Sequence, residues 1–142
     1  MTDCRKLRLN FESTLASIDA AELIVERMAQ ISGFDEDQVY QIGMGVRETM
    51  VNAICHGNQL GSPKTVSFDA SIDENCMQVI VTDQGEGFDE SQVADPLAGE
   101  QLMRGSGRGL LIVRAFFDEV EVGPGSGSGT RVRLVKYCAQ GA

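Results

Sequence analysis

The apolar residues of this sequence follow a helical spacing in its first half. Before Gly33, a residue type that often follows the end of a helix, the apolar residues recur three and four positions apart. This spacing predicts a helix whose N-cap is Ser17 or Asp19. A second helix is predicted from the N-cap Asp35 to about His56. Its predicted core stripe consists of Val39, Ile42, Val46, Met50 and Ile54.

Strand-like and apolar runs account for most of the remaining chain. Strands are predicted at 4–11, 64–72, 76–82, 119–123 and 130–136. The short connection at 73–75 predicts that two of them form an antiparallel hairpin. The apolar run after Gly107 predicts a third helix that ends near Asp118. Three helices and about five mostly antiparallel strands indicate an α+β fold, a two-layer α/β sandwich.

The length of the chain predicts a single domain with one long loop. At 142 residues there is room for one domain, which we assign to 1–142. Residues 57–63 are predicted as a loop, and 83–106 show no clear period. A loop as long as the second is uncommon in so small a domain unless it is functional, so we expect a lid there.

Charge and cysteine content narrow the choice of partners. The chain has 21 acidic and 12 basic residues, a formal charge of −9, which disfavours nucleic acid as a direct partner. Four scattered cysteines and a single histidine match neither a zinc site nor a disulfide framework. The first residues lack the apolar run of a signal peptide, and no apolar stretch is long enough to span a membrane. We therefore expect a soluble, cytoplasmic protein with reduced cysteines.

Several common catalytic motifs are absent from the sequence. No lysine follows a glycine, which excludes a P-loop, and G-x-G-x-x-G occurs in no frame, which excludes a Rossmann fingerprint. The eukaryotic-type kinase motifs and the G-x-S-x-G elbow are also missing. Sixteen glycines against three prolines nevertheless suggest that backbone groups take part in function.

The second predicted helix carries three polar residues at intervals of four. Glu48, Asn52 and His56 would lie along one flank, because four residues of an α-helix make slightly more than one turn. A carboxylate, an amide and an imidazole in this arrangement suit a general base, a metal ligand and a phosphate contact. The alternative is a solvated polar flank, but most of their neighbours are apolar, and buried polar groups need partners.

Two glycine-rich segments are further candidates for a binding site. Asp83 ends a predicted strand and precedes Gly85 and Gly87, so its carboxylate can accept a hydrogen bond from a ligand that approaches the backbone closely. The segment 105–109 (GSGRG) opens the third predicted helix, where free N–H groups favour phosphate. A plain turn and a flexible linker are the respective alternatives.

Taken together, the motifs resemble those of a known superfamily. In chain order they are Glu48-x-x-x-Asn52-x-x-x-His56, Asp83-x-Gly85-x-Gly87, Gly107-x-Gly109 and Gly129-Thr130. This order resembles the ATP-binding domain of the GHKL superfamily, which includes gyrase, Hsp90, histidine kinases and MutL. The segments RETMVNAICHGN, VTDQGEGFD and GRGLLIVRAFFDEVEV look most like the anti-sigma factor serine/threonine kinases. The resemblance covers essentially the whole chain and implies the Bergerat type of two-layer fold, with an ATP lid at about 88–106.

The resemblance also implies ATP and Mg²⁺ as cofactors and a role for each motif residue. Glu48 would be the catalytic base, Asn52 would hold Mg²⁺, and Asp83 would accept from the adenine amino group. The residues implied in nucleotide binding are Asn52, His56, Asp83, Gly85, Gly87, Arg104, Gly107, Arg108, Gly109 and Thr130. Which of Arg104 and Arg108 contacts the γ-phosphate stays open, as does the interpretation of both as solvated loop charges.

Three functions are compatible with these motifs. The first, which the resemblance favours, is a kinase that phosphorylates a serine of a STAS-type anti-anti-sigma antagonist, sequesters a sigma factor and forms a homodimer. The second is an ATP-gated, non-catalytic binding module of the same fold. The third is an ATPase fragment of a larger machine, which the length of the chain and the complete run of motifs disfavour.

Overall fold

The computed structural model describes residues 5–86, 109–125 and 127–138. In chain order the elements are β1 (Arg5–Glu12), α1 (Leu15–Ile31), α2 (Glu36–Val51), a π-helical segment (Asn52–Gly57), β2 (Thr65–Ile72), β3 (Cys76–Thr82), α3 (Gly109–Phe116), β4 (Glu119–Pro124) and β5 (Thr130–Tyr137). The five strands and the third helix agree with the sequence prediction to within two residues at each end.

The five strands form one sheet in the order β1-β2-β3-β5-β4, and every neighbouring pair is antiparallel. Alternate residues of β2 and β3 are buried against the helices, as the period of two predicts. The core includes Phe68 and Val79 from the sheet and Val25, Ile42 and Val113 from the three α-helices. The predicted α+β two-layer sandwich is confirmed.

The N-cap of α1 differs from the prediction. Thr14, rather than Ser17 or Asp19, has the extended backbone of a cap, and its hydroxyl accepts a hydrogen bond from the Ser17 N–H at 3.3 Å. Ser17 therefore lies within the first turn. At the other end the prediction is confirmed, because Gly33 has a φ of 94° and donates its N–H to the Gln30 carbonyl.

The second predicted helix has the expected start and an unexpected end. Asp35 is its N-cap and forms a capping box with Gln38. All five residues of its predicted core stripe are buried. The α-helix stops at Val51, however, and the chain continues as a π-helix to Gly57. The Asn58 N–H accordingly donates to the Ala53 carbonyl, five residues back, at 2.8 Å.

Helix α2 closely approaches Phe117, the residue that directly follows α3, at Gly45. A Cβ at this position would overlap the ring of Phe117, which is only 6% exposed and has little room to move. Gly43, on the same helix, offers a matched comparison. A Cβ there would meet the end of the Glu26 side chain, which can rotate away from it.

We therefore expect Gly45→Ala to be less stable than Gly43→Ala by about 1–3 kcal/mol, the usual cost of overpacking a core. Both substitutions gain the same helix propensity, so the difference isolates the contact with Phe117. Urea unfolding of the two variants measures it. Equal midpoints would show that Phe117 can shift away from α2 at no cost.

Candidate functional site

A cavity of about 250 Å³ lies between the π-helical segment and the ends of β3 and β5. Four of the residues predicted from the sequence line it: Asn52, His56, Asp83 and Thr130. They come from three different parts of the chain and are brought together by the fold. The cavity is therefore the place where three of the four predicted motifs meet.

The three polar residues of the second predicted helix have different exposures. Asn52 is buried at 7% exposure, whereas His56 is exposed, and both line the cavity. Glu48 is half-buried one helical turn before Asn52. It is not among the described residues that line the cavity, where its neighbour Thr49 is found. Its role as a base stays a prediction.

Asp83 follows β3 directly and is 6% exposed. Its Oδ1 accepts hydrogen bonds from the N–H groups of Gly85, at 2.9 Å, and Thr130, at 3.1 Å. Its own N–H donates to the Thr130 carbonyl at 3.0 Å. One carboxylate thereby joins the turn after β3 to the start of β5. Among the described residues, none donates a hydrogen bond to Oδ2.

The buried position of Asp83 affects its ionisation. Burial raises the pKa of this carboxyl, while the N–H groups of Gly85 and Thr130 and the charge of Lys64 act in the opposite direction. Lys64 also lines the cavity. A carboxyl group with a raised pKa in a cleft is typical of a functional site.

Three glycines surround Asp83 so closely that no side chain would fit. A Cβ on Gly57 would lie 2.5 Å from Oδ2, and one on Gly129 would overlap the Asp83 carbonyl oxygen. A Cβ on Gly85 would overlap the carbonyl oxygen of Gly57. Gly129 also has a φ of 108°, which favours glycine. The glycines of the motifs therefore allow the π-helical segment and the β4–β5 connection to approach the end of β3.

Several predicted residues cannot be placed. Gly87, Arg104, Gly107, Arg108 and the expected lid at 88–106 lie outside the described residues. Gly109 is the first residue of α3 and is buried. It contributes no lining atom to the described cavity.

Of the described residues that line the cavity, the sequence analysis missed eight, among them Gly57 and Lys64, and it also missed the adjacent Asn58. Gly57 and Asn58 fall in a segment predicted as a loop, and Lys64 falls at the start of a predicted strand. The signal available for Lys64 was its rarity, since the chain has only three lysines. For Gly57 and Asn58 the spacing of residues gives no signal, because their contacts are with segments distant in sequence.

Comparison with known proteins agrees with this geometry. Residues 11–136 match the model of the histidine kinase-like ATPase domain. The anti-sigma F factor of Thermoanaerobacter sp. (strain X514) is 30% identical over 135 residues, and the match covers 92% of each chain. The serine-protein kinase RsbW of Bacillus velezensis is 30% identical over 127 residues, covering 84% of this chain and 78% of the relative. The chain thus belongs to the histidine kinase-like ATPase family, in its anti-sigma factor serine kinase branch.

The fold is also similar to that of a solved structure. A mycobacterial sensor histidine kinase, MprB, superimposes with a TM-score of 0.58 at 18% identity, and the match covers 94% of this chain and 97% of the other. At this identity the likeness supports the fold. No helix in the described part of the chain is long and apolar enough to cross a membrane.

The ionisation of Asp83 gives a test of the site without any ligand. Because burial raises the folded-state pKa of this acid above its unfolded value, its charge costs stability above the folded pKa. That cost disappears as the pH falls to the unfolded value, about 3.9. Asp83→Asn keeps the Oδ1 acceptor and removes the charge.

We expect the thermal midpoint of Asp83→Asn minus that of the wild type to be largest at pH 8. This difference should fall steadily as the pH is lowered towards 4, because the wild type then loses the cost of the buried charge. Thermal unfolding of both proteins at a series of pH values measures this. A variant that is less stable at pH 8, with a deficit that grows with pH, would show that the protein stabilises the carboxylate charge.

Proposed function

We propose that this chain is an ATP-dependent protein serine kinase that phosphorylates a STAS-type anti-anti-sigma protein and also sequesters a sigma factor. The observation that carries the proposal is the buried Asp83 acceptor in a cavity that it shares with the buried amide of Asn52. Membership of the anti-sigma factor kinase family supports both activities.

The position of Asp83 suits the recognition of adenine. The adenine 6-amino group donates a hydrogen bond that a buried carboxylate can accept. Guanine has a carbonyl at this place, so two acceptors would face each other in a buried site, at a cost of about 1–3 kcal/mol. Gly85 and Gly87 would shape the base pocket, and Thr130 would close it from β5.

The other end of the cavity suits the phosphates and a hard cation. Among residues 5–86, 109–125 and 127–138, no group of three His, Cys, Asp or Glu side chains could hold a metal ion. Mg²⁺ needs few protein ligands when phosphate and water oxygens supply the rest, and the Asn52 amide oxygen is a suitable one. We infer that Asn52 would hold Mg²⁺, which when bound offsets triphosphate charge.

The remaining motif residues would act on the triphosphate. Gly107 and Gly109 would form the hinge of the lid, with the start of α3 directed at the phosphates. His56 would contact the nucleotide, and Arg104 or Arg108 would offset the charge of the γ-phosphate.

The transfer step requires a base near the attacking serine. Glu48 would accept the proton of the partner's serine hydroxyl. The serine oxygen would form a bond to the γ-phosphorus while the bond from that phosphorus to the bridging oxygen breaks, leaving ADP and phosphoserine. Glu48 precedes Asn52 by one helical turn, which would place the base beside the phosphate end of the cavity.

The proposed partners are proteins. Relatives named as an anti-sigma F factor and as a serine-protein kinase support a sigma factor and a serine-bearing antagonist as partners. A sigma factor works on RNA polymerase in the cytoplasm, so the chain would act there, as a homodimer. It would influence transcription through these proteins and not by direct contact with DNA.

Nucleotide selectivity is the first prediction of this function. With Mg²⁺ and ATP at about one hundred times Kd, binding adds about 2.7 kcal/mol of stability. For a chain of this length the thermal midpoint should rise by about 5–10 °C. GTP at the same concentration should give a clearly smaller rise, and Asp83→Asn should lose most of the rise with ATP because an amide N–H₂ would face the adenine amino group. Equal shifts with ATP and GTP would contradict the role of Asp83.

Phosphoryl transfer is tested at Glu48. Glu48→Gln keeps the shape of the side chain but cannot take a proton, so phosphorylation of the antagonist should fall by about 10²–10⁴-fold. ATP binding, measured by the thermal shift, should persist. Glu36→Gln is the matched control, since Glu36 is exposed in the first turn of the same helix. Phosphoserine formation is followed by mass spectrometry.

Two results would contradict this assignment in different ways. An undiminished rate in Glu48→Gln would mean that another group is the base. A wild-type chain that binds its antagonist in an ATP-dependent manner without forming phosphoserine would indicate the non-catalytic module of the same fold.

A further inference from the structure

The side chain of Asn58 is a buried junction between three parts of the fold. The residue follows the π-helical segment directly and is 1% exposed. Its Nδ2 donates to the Ser13 hydroxyl at 3.1 Å and to the Thr65 carbonyl at 2.9 Å. Its Oδ1 accepts the N–H of Gln84 at 2.7 Å. The amide thus joins the chain after β1, the start of β2 and the turn after β3.

The bond to Gln84 bears directly on the position of Asp83. Three successive N–H groups in this turn are each held by a different partner. Asp83 donates to the Thr130 carbonyl, Gln84 to Asn58 Oδ1, and Gly85 to the carboxylate of Asp83 itself. Gln84 is also held from its side chain, whose Oε1 accepts the Thr65 N–H at 2.7 Å. The carboxylate and the turn that orients it are therefore fixed together.

Among the described residues, Asn58 provides the hydrogen bond between the end of the helical segment that carries Asn52 and this turn. The chemistry of the amide matches the position. One acceptor and two donors are needed, and a carboxamide supplies both, whereas a carboxylate lacks the donors and a hydroxyl is too short to span the three partners. The Asn58 side chain is buried, and its three bonds are buried or partly buried, so losing one leaves a polar group poorly paired.

We propose that Asn58 is a positioning residue for base selection, which holds the Asp83–Gly85 turn so that the carboxylate faces the purine 6-position. The inference rests on the proposed role of Asp83 as the acceptor for adenine. Loss of the Gln84 bond lets the turn and the carboxylate shift together. The preference for a purine with a 6-amino group over one with a 6-carbonyl group then falls, in addition to any loss of stability.

Calorimetry measures the dissociation constants of ATP and inosine triphosphate, each with Mg²⁺. The quantity compared between variants is the constant for inosine triphosphate divided by the constant for ATP. The ratio reports the 6-position and the adjacent N1, which is an acceptor in adenine and carries a hydrogen in hypoxanthine, because the rest of the base, the sugar and the triphosphate are identical. In Asn58→Ala this ratio should fall by about tenfold from the wild-type value, since the partly buried hydrogen bond to the Gln84 N–H no longer fixes the turn that carries the acceptor. A purely structural role would weaken both nucleotides equally and leave the ratio unchanged.

Two variants separate positioning from stability. Asn58→Asp retains an oxygen for the Gln84 N–H but loses both donors, so its thermal midpoint should fall while its ratio stays within about twofold of the wild type. Ser13→Ala removes one partner of Nδ2 and leaves the Gln84 bond, with the same expected pattern. If Asn58→Ala does not fold, Asn58→Ser replaces it, because its short side chain also leaves Gln84 without this acceptor.

The outcomes distinguish this inference from the function on which it rests. If the wild type binds ATP no better than inosine triphosphate, Asp83 is not the acceptor for adenine, and the inference fails together with that role. A wild type that prefers ATP, with the same preference in Asn58→Ala, overturns the inference and leaves the proposed function intact. If the ratio falls as far in Asn58→Asp or Ser13→Ala as in Asn58→Ala, the hydrogen bond to Gln84 is not what links Asn58 to base selection, and the inference is overturned.

Discussion

The arrangement of this molecule depends on one buried carboxylate. Asp83 can be buried because two N–H groups, from Gly85 and Thr130, donate to it and because glycines lie where side chains would collide with it. The end of β3, the start of β5 and the π-helical segment therefore approach within contact distance at a single point. The cavity exists because these three segments meet there, with polar groups already held in place.

Secondary structure was predictable because each element has a strong local signal. Asp35 was identified as an N-cap because a capping residue and acidic side chains open the helix there, and the N-cap is confirmed. The first helix was harder, since Thr14, Ser17 and Asp19 are all capping residues and the pattern of apolar positions does not choose among them. The backbone geometry places the cap at Thr14, where the chain turns directly from β1 into α1.

The residues of the candidate site could be predicted where they belong to a recognisable motif. They could not be predicted where they are needed only for a contact with a segment distant in sequence. Asn52 and Asp83 belong to motifs with recognisable spacing, and both are buried in the cavity. Gly57 is required because Asp83 approaches its Cα, and Asn58 because Gln84 needs an acceptor. Such requirements arise only after folding brings the two segments together, so no local pattern could have shown them.

The π-helical segment also limits which sequence changes this family member can accept. A π-helix holds more residues per turn than an α-helix, so deletion of one residue between Asn52 and Gly57 would let the segment revert to an α-helix. Six residues of a π-helix and five residues of an α-helix turn the chain through nearly the same angle, so the shortened segment would still present Asn58 to its three partners. Replacement is more restricted than shortening, because Asn52 lines the cavity and a side chain at Gly57 would overlap the Asp83 carboxylate. The identity of these two residues is therefore more tightly constrained than the exact length of the segment that carries them.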